Sequence, residues 1–277
     1  MTRFIFKFSG GIGNQIFQYN FFLTYFHLDN VNFYFDLTDY HSTNNLTKRI
    51  FYLEKILPKN RVLIKTKLHL FLLLFKSIFF NLTIIGGKST RIISLESIVN
   101  FLFFYRNSRT FYLKGYWQNK KISDQTLHVL RKIIPVHERN KKFKNYCFFH
   151  FRLTDYLTSE NTQIYKNLDT TYYKKALKEL VRKEGLNLKI VIFTDDIIFF
   201  KKFYKVIFDG FNIQINQDKE PLSILSSFSF CRSGVIANST FSFIGALLSH
   251  NKNIFYPSDW YTTKDNLIVF PKTWIKI

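Results

Sequence analysis

The sequence predicts an α/β protein built on parallel, doubly wound sheets. Through residues 146–250, apolar runs of strand length alternate with stretches of helical spacing, a pattern typical of parallel sheets with helices on both faces. Near the start, an apolar run at 3–8 leads through glycines into an aromatic helix, in the order strand, glycine turn, helix. Polar motifs follow the predicted strands, and parallel sheets bind ligands at that edge.

The elements of the first half follow from the spacing of their apolar residues. Residues 3–8 predict a strand, 14–26 a helix, and 31–35 a second strand that ends at Asp36. The pattern from 38 to 120 is irregular and mostly helical, with a further strand at 111–116.

The most apolar stretch is LHLFLLLFKSIFF at 68–80. It is shorter than the ~20 residues that a helix needs to span a bilayer. We expect a buried core helix there. The alternative is a helix that lies on a membrane surface and is attracted to anionic lipid by Lys65, Lys67 and Lys76.

The second half has clearer element boundaries. Thr170–Glu184 predicts a helix that stops at Gly185. The other predicted elements are strands at 146–151, 188–194, 206–208, 213–215 and 234–237, and helices at 197–205, 220–230 and 240–250. The basic segment at 135–144 separates the halves, so we expect an N-terminal domain at 1–144 and a C-terminal domain at 145–277.

Composition limits the class of protein. The chain has 277 residues, 47% of them hydrophobic, which excludes a disordered protein. Its 40 Lys+Arg against 19 Asp+Glu give a net charge of +21, which indicates an anionic partner such as a nucleotide or a lipid surface. Coding DNA rich in adenine and thymine would produce the same basicity. No dense basic tract is interleaved with aromatic residues, so nucleic acid is disfavoured as the partner.

Cysteine usage and the first residues indicate the compartment. Cys147 and Cys231 lie in apolar surroundings, so we expect small buried side chains in a reducing compartment and no cysteine metal site. The start, MTRFIFKFSGG, has too short an apolar part for a secretory signal. We therefore expect a cytoplasmic protein.

Two motifs of the second half have the chemistry of an anion site. In HFRLTDY (150–156), Arg152 follows a strand, and a guanidinium there can donate two parallel hydrogen bonds to a phosphate. In ANSTFSFIGA (237–246), Asn238, Ser239 and Thr240 begin a helix, whose free N–H groups and positive dipole end attract anions. For each motif alone, the alternative is an ordinary ion pair or helix cap.

Two further motifs complete the set. Asp195 and Asp196 in FTDD (193–196) follow an apolar strand, where they are suited either to accept hydrogen bonds from a base or ribose or to cap the next helix. The glycines of SGGIGNQIFQY (9–19) permit close backbone approach. That motif is neither the GxGxxG dinucleotide fingerprint nor the GxxxxGK[ST] phosphate loop.

In this order, the motifs resemble glycosyltransferase family 11, the α1,2-fucosyltransferases that use GDP-fucose, in its bacterial surface-polysaccharide branch. The resemblance runs nearly end to end, and it includes R-x-F-x-L at 49–53, G-Y-[FW]-Q at 115–118 and P-x-x-W at 257–260. The chain departs from the family pattern at Leu153, where the second arginine of HFRLTDY would stand, and at Phe243 and Ile244, which replace paired tryptophans.

The resemblance implies a GT-B architecture, in which two Rossmann-like domains with parallel sheets face a cleft and the C-terminal one holds GDP-fucose. It implies no metal ion and no other cofactor. Arg152 would bind the diphosphate and stabilise negative charge on the departing GDP. The other donor-binding residues that the resemblance implies are His150, Asp195, Asp196, Asn238, Ser239, Thr240, Gly10, Gly11, Gly13, Asn14 and Gln15.

The implied reaction moves L-fucose from GDP-β-L-fucose, with inversion, to the 2-OH of a terminal galactose in a surface polysaccharide or lipopolysaccharide glycan, as in O-antigen biosynthesis. Asp155 and Glu160 are the candidate bases, and Asp155 is also a candidate to hold Arg152. A lipid-linked acceptor would add peripheral contact with the inner face of the membrane. The alternatives left open are a non-catalytic relative that binds sugar nucleotide or polysaccharide, suggested by Leu153, and a fucosyltransferase of different linkage.

Overall fold

The computed structural model describes residues 3–26, 32–41, 49–59, 61–78, 82–85, 110–119, 121–134, 138–154, 162–249, 253–262 and 268–277. The contacts divide the chain into two compact units, Met1–Val129 with Leu267–Val269 and Leu130–Asn266 with Phe270–Ile277. This division falls at residue 129, earlier than the boundary expected at 144. The acceptor and donor roles expected of the two halves stay predictions.

The first unit contains a parallel sheet. In the described residues its strands are β1 (Arg3–Lys7), β2 (Asn32–Asp36), β3 (Arg61–Ile64), β4 (Leu82–Ile85) and β5 (Thr110–Lys114), in the order β3-β2-β1-β5-β4. The helices are α1 (Ile12–Tyr25), α2 (Thr38–His41), α3 (Lys67–Ile78) and α4 (Asp124–Ile133), the last of which crosses the unit boundary. The predicted strands at 3–8, 31–35 and 111–116 and the helix at 14–26 are confirmed. The short strands β3 and β4 were not predicted, because periodicity does not distinguish four-residue apolar runs from the helical pattern around them.

Side chains alternate along β1, so their neighbours show which helix covers each face of this sheet. Phe6 faces α1, where its ring lies edge-on to Phe22 with centroids 5.1 Å apart. Ile5 points to the opposite face. There it packs, with Ile64 and Tyr112, under Leu70, Leu73 and Leu74 of α3.

Helix α3 is not the buried core helix that the sequence predicted. Its inner face packs on the sheet, but Leu68, Phe71, Leu72 and Phe75 are 67%, 60%, 49% and 49% exposed. They are spaced i, i+3, i+4 and i+7, so they form one stripe on the outer face. The prediction of a helix is right and the prediction of its burial is wrong, because an all-apolar run does not reveal how many of its sides are covered.

The second unit contains the other parallel sheet. Its described strands are β6 (Tyr146–Phe151), β7 (Lys189–Thr194), β8 (Asn212–Ile215), β9 (Ser233–Val235), β10 (Ile254–Tyr256) and β11 (Ile275–Lys276), in the order β11-β10-β9-β6-β7-β8. The helices are α5 (Thr170–Glu184), α6 (Ile197–Phe203), α7 (Pro221–Phe230) and α8 (Thr240–Leu248). The predicted α/β class with parallel sheets is confirmed. The strand predicted at 206–208 is wrong, since Lys205–Phe208 is a 3-10 turn that buries Ile207 and Phe208.

Helices cover both faces of the second sheet. On one face, Phe149 and Phe151 of β6 belong to a core cluster that includes Tyr173 of α5. On the other face, Phe148 lies 4.6 Å from the ring of Phe228 in α7. Gly234 of β9 must remain a glycine, because a Cβ at that position would overlap the Phe148 ring.

Residues 138–144, the described part of the basic segment at 135–144, pack in the second unit. Glu138–Asn145 is a 3-10 helix, and its Phe143 is buried beside Tyr146 and Phe193. Cys147 and Cys231 are buried free thiols, as expected. Within the described ranges, the helices are all too short or too polar to cross a membrane.

Candidate functional site

The strand order of the second sheet reverses between β6 and β9. From β6 the chain builds outward through β7 and β8, and then returns to β9 on the other side and continues to β10 and β11. Doubly wound sheets bind ligands at the carboxyl ends of the strands where the order reverses. The motifs HFRLTDY and ANSTFSFIGA follow β6 and β9 directly. The fold therefore brings both motifs to the expected binding edge.

The strand registers align three of the predicted residues side by side across the sheet. β6 pairs in parallel with β7 on one side and with β9 on the other. When both registers are continued past the strand ends, Arg152 aligns with Asp195 on one side and with Asn238 on the other. Neighbouring strands lie ~4.8 Å apart, so the segment that carries Arg152 and the turn before α8 leave the sheet at adjacent positions.

Asp195 binds the segment that follows β6. Its Oδ2 lies 2.8 Å from Nη1 of Arg152 and accepts a hydrogen bond from the hydroxyl of Thr154 at 2.6 Å. Its Oδ1 accepts a hydrogen bond from the N–H of Leu153 at 2.7 Å. Burial alone would raise the pKa of Asp195, but the guanidinium, the hydroxyl and the N–H together lower the pKa below 3.8. The carboxylate is therefore ionised at neutral pH and fixes the position of Arg152.

Asp196 caps the helix that follows it. Its Oδ1 accepts a hydrogen bond from the N–H of Phe199 at 2.9 Å, at the start of α6. This is the capping alternative that the sequence left open. The two neighbouring aspartates thus have different local partners, since Asp195 holds the β6 loop and Asp196 holds a helix end.

His150 is buried near the end of β6, with 6% of its surface exposed. Its ring packs between Phe228 of α7 and Phe241 of α8, with centroids 5.8 and 5.9 Å away. Burial lowers the pKa of His150 from 6.5 to about 3, although the nearby Asp195 carboxylate acts in the opposite direction. The imidazole is therefore neutral at physiological pH. Its Nδ1 has no hydrogen-bond partner among the described residues, and buried polar atoms in folded proteins normally have one.

Helix α8 begins at the same edge of the sheet. Ser239 is its N-cap residue, with an extended backbone and no capping hydrogen bond from its side chain, and the first turn holds no acidic residue. The N–H groups of that turn therefore keep the positive partial charge of a helix start. Asn238 is 2% exposed, and its Nδ2 donates to the carbonyls of Lys166 at 2.6 Å and Trp260 at 3.0 Å. Asn238 thus holds the turn that presents Ser239 and Thr240.

Two tyrosines of α5, which the sequence did not single out, hold the strand ends in place. The hydroxyl of Tyr173 donates to the carbonyl of His150 at 3.1 Å, and that of Tyr172 donates to the carbonyl of Ile236 at 2.7 Å. Burial raises the pKa of both phenols, so both remain donors. The sequence shows both only as part of an amphipathic helix.

The glycine motif of the first unit lies at the corresponding reversal of its own sheet, between β1 and β5. Gly10 has a φ of +81°, a left-handed conformation that favours glycine. Its carbonyl accepts hydrogen bonds from the Tyr40 hydroxyl at 3.1 Å and from Nε2 of Gln15 at 3.2 Å. Gly11 is the N-cap residue of α1, and a Cβ there would lie 3.8 Å from Nη1 of Arg49.

The neighbouring residues tie this loop to two other motifs. Gln15 is fully buried, and its Nε2 also donates to the carbonyl of Ile50 at 2.8 Å. Asn14 accepts a hydrogen bond at Oδ1 from Nε2 of Gln118 at 3.0 Å. Gly13 is buried in the first turn of α1. The glycine loop, the R-x-F-x-L motif and the G-Y-[FW]-Q motif therefore form one cluster.

The candidate bases Asp155 and Glu160 lie outside the described residues. Leu153, which replaces the second arginine of the motif, is 4% exposed and belongs to the same core cluster as Phe151. Because side chains alternate along a strand, this is the face opposite to His150. The leucine therefore serves packing, and it removes no charge from the face that carries His150.

The arrangement in the second unit can bind a diphosphate. A fixed guanidinium and a helix start both favour phosphate oxygens, and a neutral imidazole beside them can exchange a hydrogen bond with an uncharged group. The predicted residues that the fold brings to this edge are His150, Arg152, Asp195, Asn238, Ser239 and Thr240. In the part of the chain that the structure describes, no group of three or more His, Cys, Asp or Glu residues could hold a metal ion.

Comparisons with known proteins identify relatives of the chain. Residues 77–276 match the sequence profile of the family described as "Glycosyl transferase family 11". The chain is also 23% identical over 154 residues to "O-antigen biosynthesis glycosyltransferase WbnK" of Escherichia coli. That match covers 54% of this chain and 49% of the relative, so it spans about half of the relative's length.

Solved structures share the fold at low sequence identity. The fucosyltransferase NodZ from Bradyrhizobium is similar with a TM-score of 0.50 at 12% identity, over 90% of this chain and 93% of that one. POFUT1 in complex with GDP has a TM-score of 0.50 at 10% identity, over 90% of this chain and 95% of that one. These likenesses show the fold, which is that of GT-B glycosyltransferases.

Proposed function

Because the chain belongs to glycosyltransferase family 11, we propose that it transfers L-fucose from GDP-β-L-fucose to a glycan hydroxyl with inversion of configuration. The observation that carries this proposal is the Arg152–Asp195 pair, which follows β6 at the strand-order reversal beside the start of α8. NodZ is described as a fucosyltransferase that was co-crystallised with GDP, and on that basis we propose a GDP-linked fucose donor for the present chain.

The diphosphate of the donor would lie against Arg152 and the first turn of α8. As the bond to fucose breaks, the sugar becomes oxocarbenium-like and negative charge grows on the β-phosphate. Positive groups that are already fixed there stabilise this transition state more than the ground state. Loss of one such donor typically lowers the rate ~100-fold or more. Ser239 would contribute its hydroxyl and Thr240 the positive start of α8, while Asn238 acts as a positioning residue. The N–H of Ser239 already donates to the carbonyl of Ala237 at 2.8 Å.

We assign His150 to the guanine base or its ribose. Its ring is neutral, is flanked by aromatic rings, and has a buried Nδ1 that forms no hydrogen bond with a described residue. A neutral group of this kind is suited to a hydroxyl or a base edge rather than to a phosphate. Asp195, whose oxygens already bind the β6 loop, would reach the donor only through Arg152.

The acceptor hydroxyl must lose a proton to a base during transfer. Asp155 and Glu160 remain the proposed bases. Asp195 is unsuited to act as the base, because its oxygens accept hydrogen bonds from Thr154 and Leu153 and its pKa is lowered. We further propose that transfer needs no metal ion, since Arg152 and the start of α8 supply the positive charge; activity that persists in EDTA is the expected result.

The acceptor that we propose is the 2-OH of a terminal galactose in a surface glycan. The WbnK relative is described as an O-antigen biosynthesis enzyme, and an O-antigen precursor would place the protein at the inner face of the membrane. We propose that the cluster around Gly10, Gly11, Gly13, Asn14 and Gln15 also takes part in substrate binding.

Product analysis tests this function. The protein is incubated with GDP-β-L-fucose and a panel of galactosides, and the products are identified by NMR. We expect an α1,2-linked fucose and free GDP, with both lost in Arg152→Ala. A fucose on another hydroxyl would overturn the linkage and keep the enzyme class. GDP binding without release of fucose or transfer would instead identify a non-catalytic relative.

A further inference from the structure

We propose that the outer face of α3 is a docking surface for an anionic lipid bilayer. The inner face of this helix packs on the first sheet. The outer face carries a stripe of four exposed apolar side chains, here called the α3 stripe: Leu68, Phe71, Leu72 and Phe75. The inference goes beyond the proposed function, since binding to a bilayer requires neither donor nor turnover.

The α3 stripe is a contiguous patch. Its members lie within ~two turns of one helix, and the rings of Phe71 and Phe75 stack with centroids 5.7 Å apart. Leu186, by contrast, is 76% exposed in a turn. Single exposed apolar residues are ordinary, whereas a contiguous apolar patch with a polar rim marks an interaction surface.

The charges beside the stripe select an anionic partner. Lys65 and Lys67 are exposed at the N-terminal end of α3, and the first turn holds no acidic residue. Lysines there oppose the helix dipole, so the stability of the helix does not explain them. Glu54 approaches Lys65 at 3.9 Å, but both side chains are about half exposed, and such a pair is weak. The whole chain carries a net charge of +21.

Together the stripe and the lysines fit a bilayer surface better than a second copy of the chain. An interfacial helix buries its apolar face at the headgroup boundary while its lysines reach the lipid phosphates. In a symmetric contact through this face, the α3 helix of a second copy would offer no carboxylate to these lysines, because its sequence KLHLFLLLFKSI contains none. Bilayer phosphates neutralise them instead. For a lipid-linked acceptor, such docking would hold the protein at the surface that carries its substrate.

Vesicle cosedimentation of the full chain tests the proposal. The vesicles are phosphatidylcholine with or without phosphatidylglycerol, and each variant is compared with the wild type. We expect binding to the phosphatidylglycerol vesicles that weakens with salt. Leu68→Gln/Phe71→Gln should lower the partition coefficient about tenfold or more, and Lys65→Gln/Lys67→Gln should lower it roughly fivefold for each lysine, on the anionic vesicles only.

The controls separate docking from misfolding and from self-association. Glutamine is a good helix former, so the melting temperature of Leu68→Gln/Phe71→Gln should match that of the wild type. Ile198→Gln changes a side chain that is 83% exposed on α6, and it should bind vesicles as the wild type does. Absence of binding at low salt, or binding that survives Leu68→Gln/Phe71→Gln, would overturn the proposal. So would a dimer that this variant abolishes while vesicles remain unbound.

Discussion

Replacing Asp195 by asparagine tests whether this carboxylate acts on the donor through Arg152. Asparagine keeps the shape, and its carbonyl oxygen can still accept the hydrogen bond from Leu153, which is 2.7 Å in the native protein. The change removes the negative charge that faces Nη1 of Arg152 at 2.8 Å. In the native protein the Thr154 hydroxyl donates to Asp195 at 2.6 Å. The variant would place an N–H donor towards that hydroxyl, so this hydrogen bond would be lost or reversed.

The magnitude follows from the burial of the pair. Hydrogen bonds to charged groups contribute about 1.5–3 kcal/mol. The Arg152 and Asp195 side chains are 31% and 20% exposed, so solvent screening places the loss near the lower end of that range. Each 1.36 kcal/mol corresponds to about a tenfold change in rate. We therefore expect kcat/KM for GDP release from GDP-fucose to fall about tenfold in Asp195→Asn, with a loss of about 1 kcal/mol in the free energy of unfolding.

A double-mutant cycle distinguishes positioning from direct contact with the donor. GDP release is measured for the wild type, Asp195→Asn, Arg152→Ala and the double variant. If Asp195 acts only by holding Arg152, the double variant should be no slower than Arg152→Ala, because coupled residues are not additive. Asp196→Asn is the matched control: asparagine caps a helix about as well as aspartate, so this change at the N-cap of α6 should have little effect on stability or on the rate. Wild-type activity in Asp195→Asn, or effects that multiply in the double variant, would refute the positioning role.

Three further predictions concern stability and the turn before α8. The pKa of His150 is about 3 in the folded protein and about 6.5 when unfolded. Between about pH 3 and pH 6.5 the unfolded chain therefore binds a proton that the folded chain does not. The free energy of unfolding should fall with decreasing pH by up to ~1.4 kcal/mol per pH unit. Denaturant titrations of His150→Gln should lack this slope, and an unchanged slope would contradict the burial argument. Asn238→Ala should lose about 2–4 kcal/mol, because the carbonyls of Lys166 and Trp260 lose their donor, and urea midpoints equal to those of the wild type would count against it. Gly234→Ala should destabilise by about 1–3 kcal/mol or prevent folding, since its Cβ overlaps a buried ring, as thermal melts would show; a wild-type melting temperature would indicate that the ring moves freely.

Local patterns predicted the elements that depend on local chemistry. The bounds of β6 and α5 agree with the prediction, because an apolar run and an amphipathic helix with a glycine stop are both local signals. The glycine loop was predicted for the same reason. The sequence predicts a strand at 206–208, whereas these residues belong to the 3-10 turn Lys205–Phe208, since a short apolar run fits both structures.

The remaining features depend on contacts between distant segments. The partnership of Arg152 with Asp195 requires knowledge that β6 and β7 are neighbours, and the sequence carries no sign of strand order. The same holds for Tyr172 and Tyr173, whose hydroxyls reach carbonyls on other elements. The exposure of the α3 stripe likewise depends on what covers the helix.

Isothermal titration calorimetry tests most directly whether this site binds a diphosphate. GDP and guanosine are each titrated into the wild type and into Arg152→Ala. Guanosine lacks the phosphates, so its affinity reports the base and ribose contacts alone. The account predicts that Arg152→Ala weakens GDP about tenfold or more and leaves guanosine unchanged. Equal weakening of both ligands, or GDP affinity that does not depend on Arg152, would contradict it.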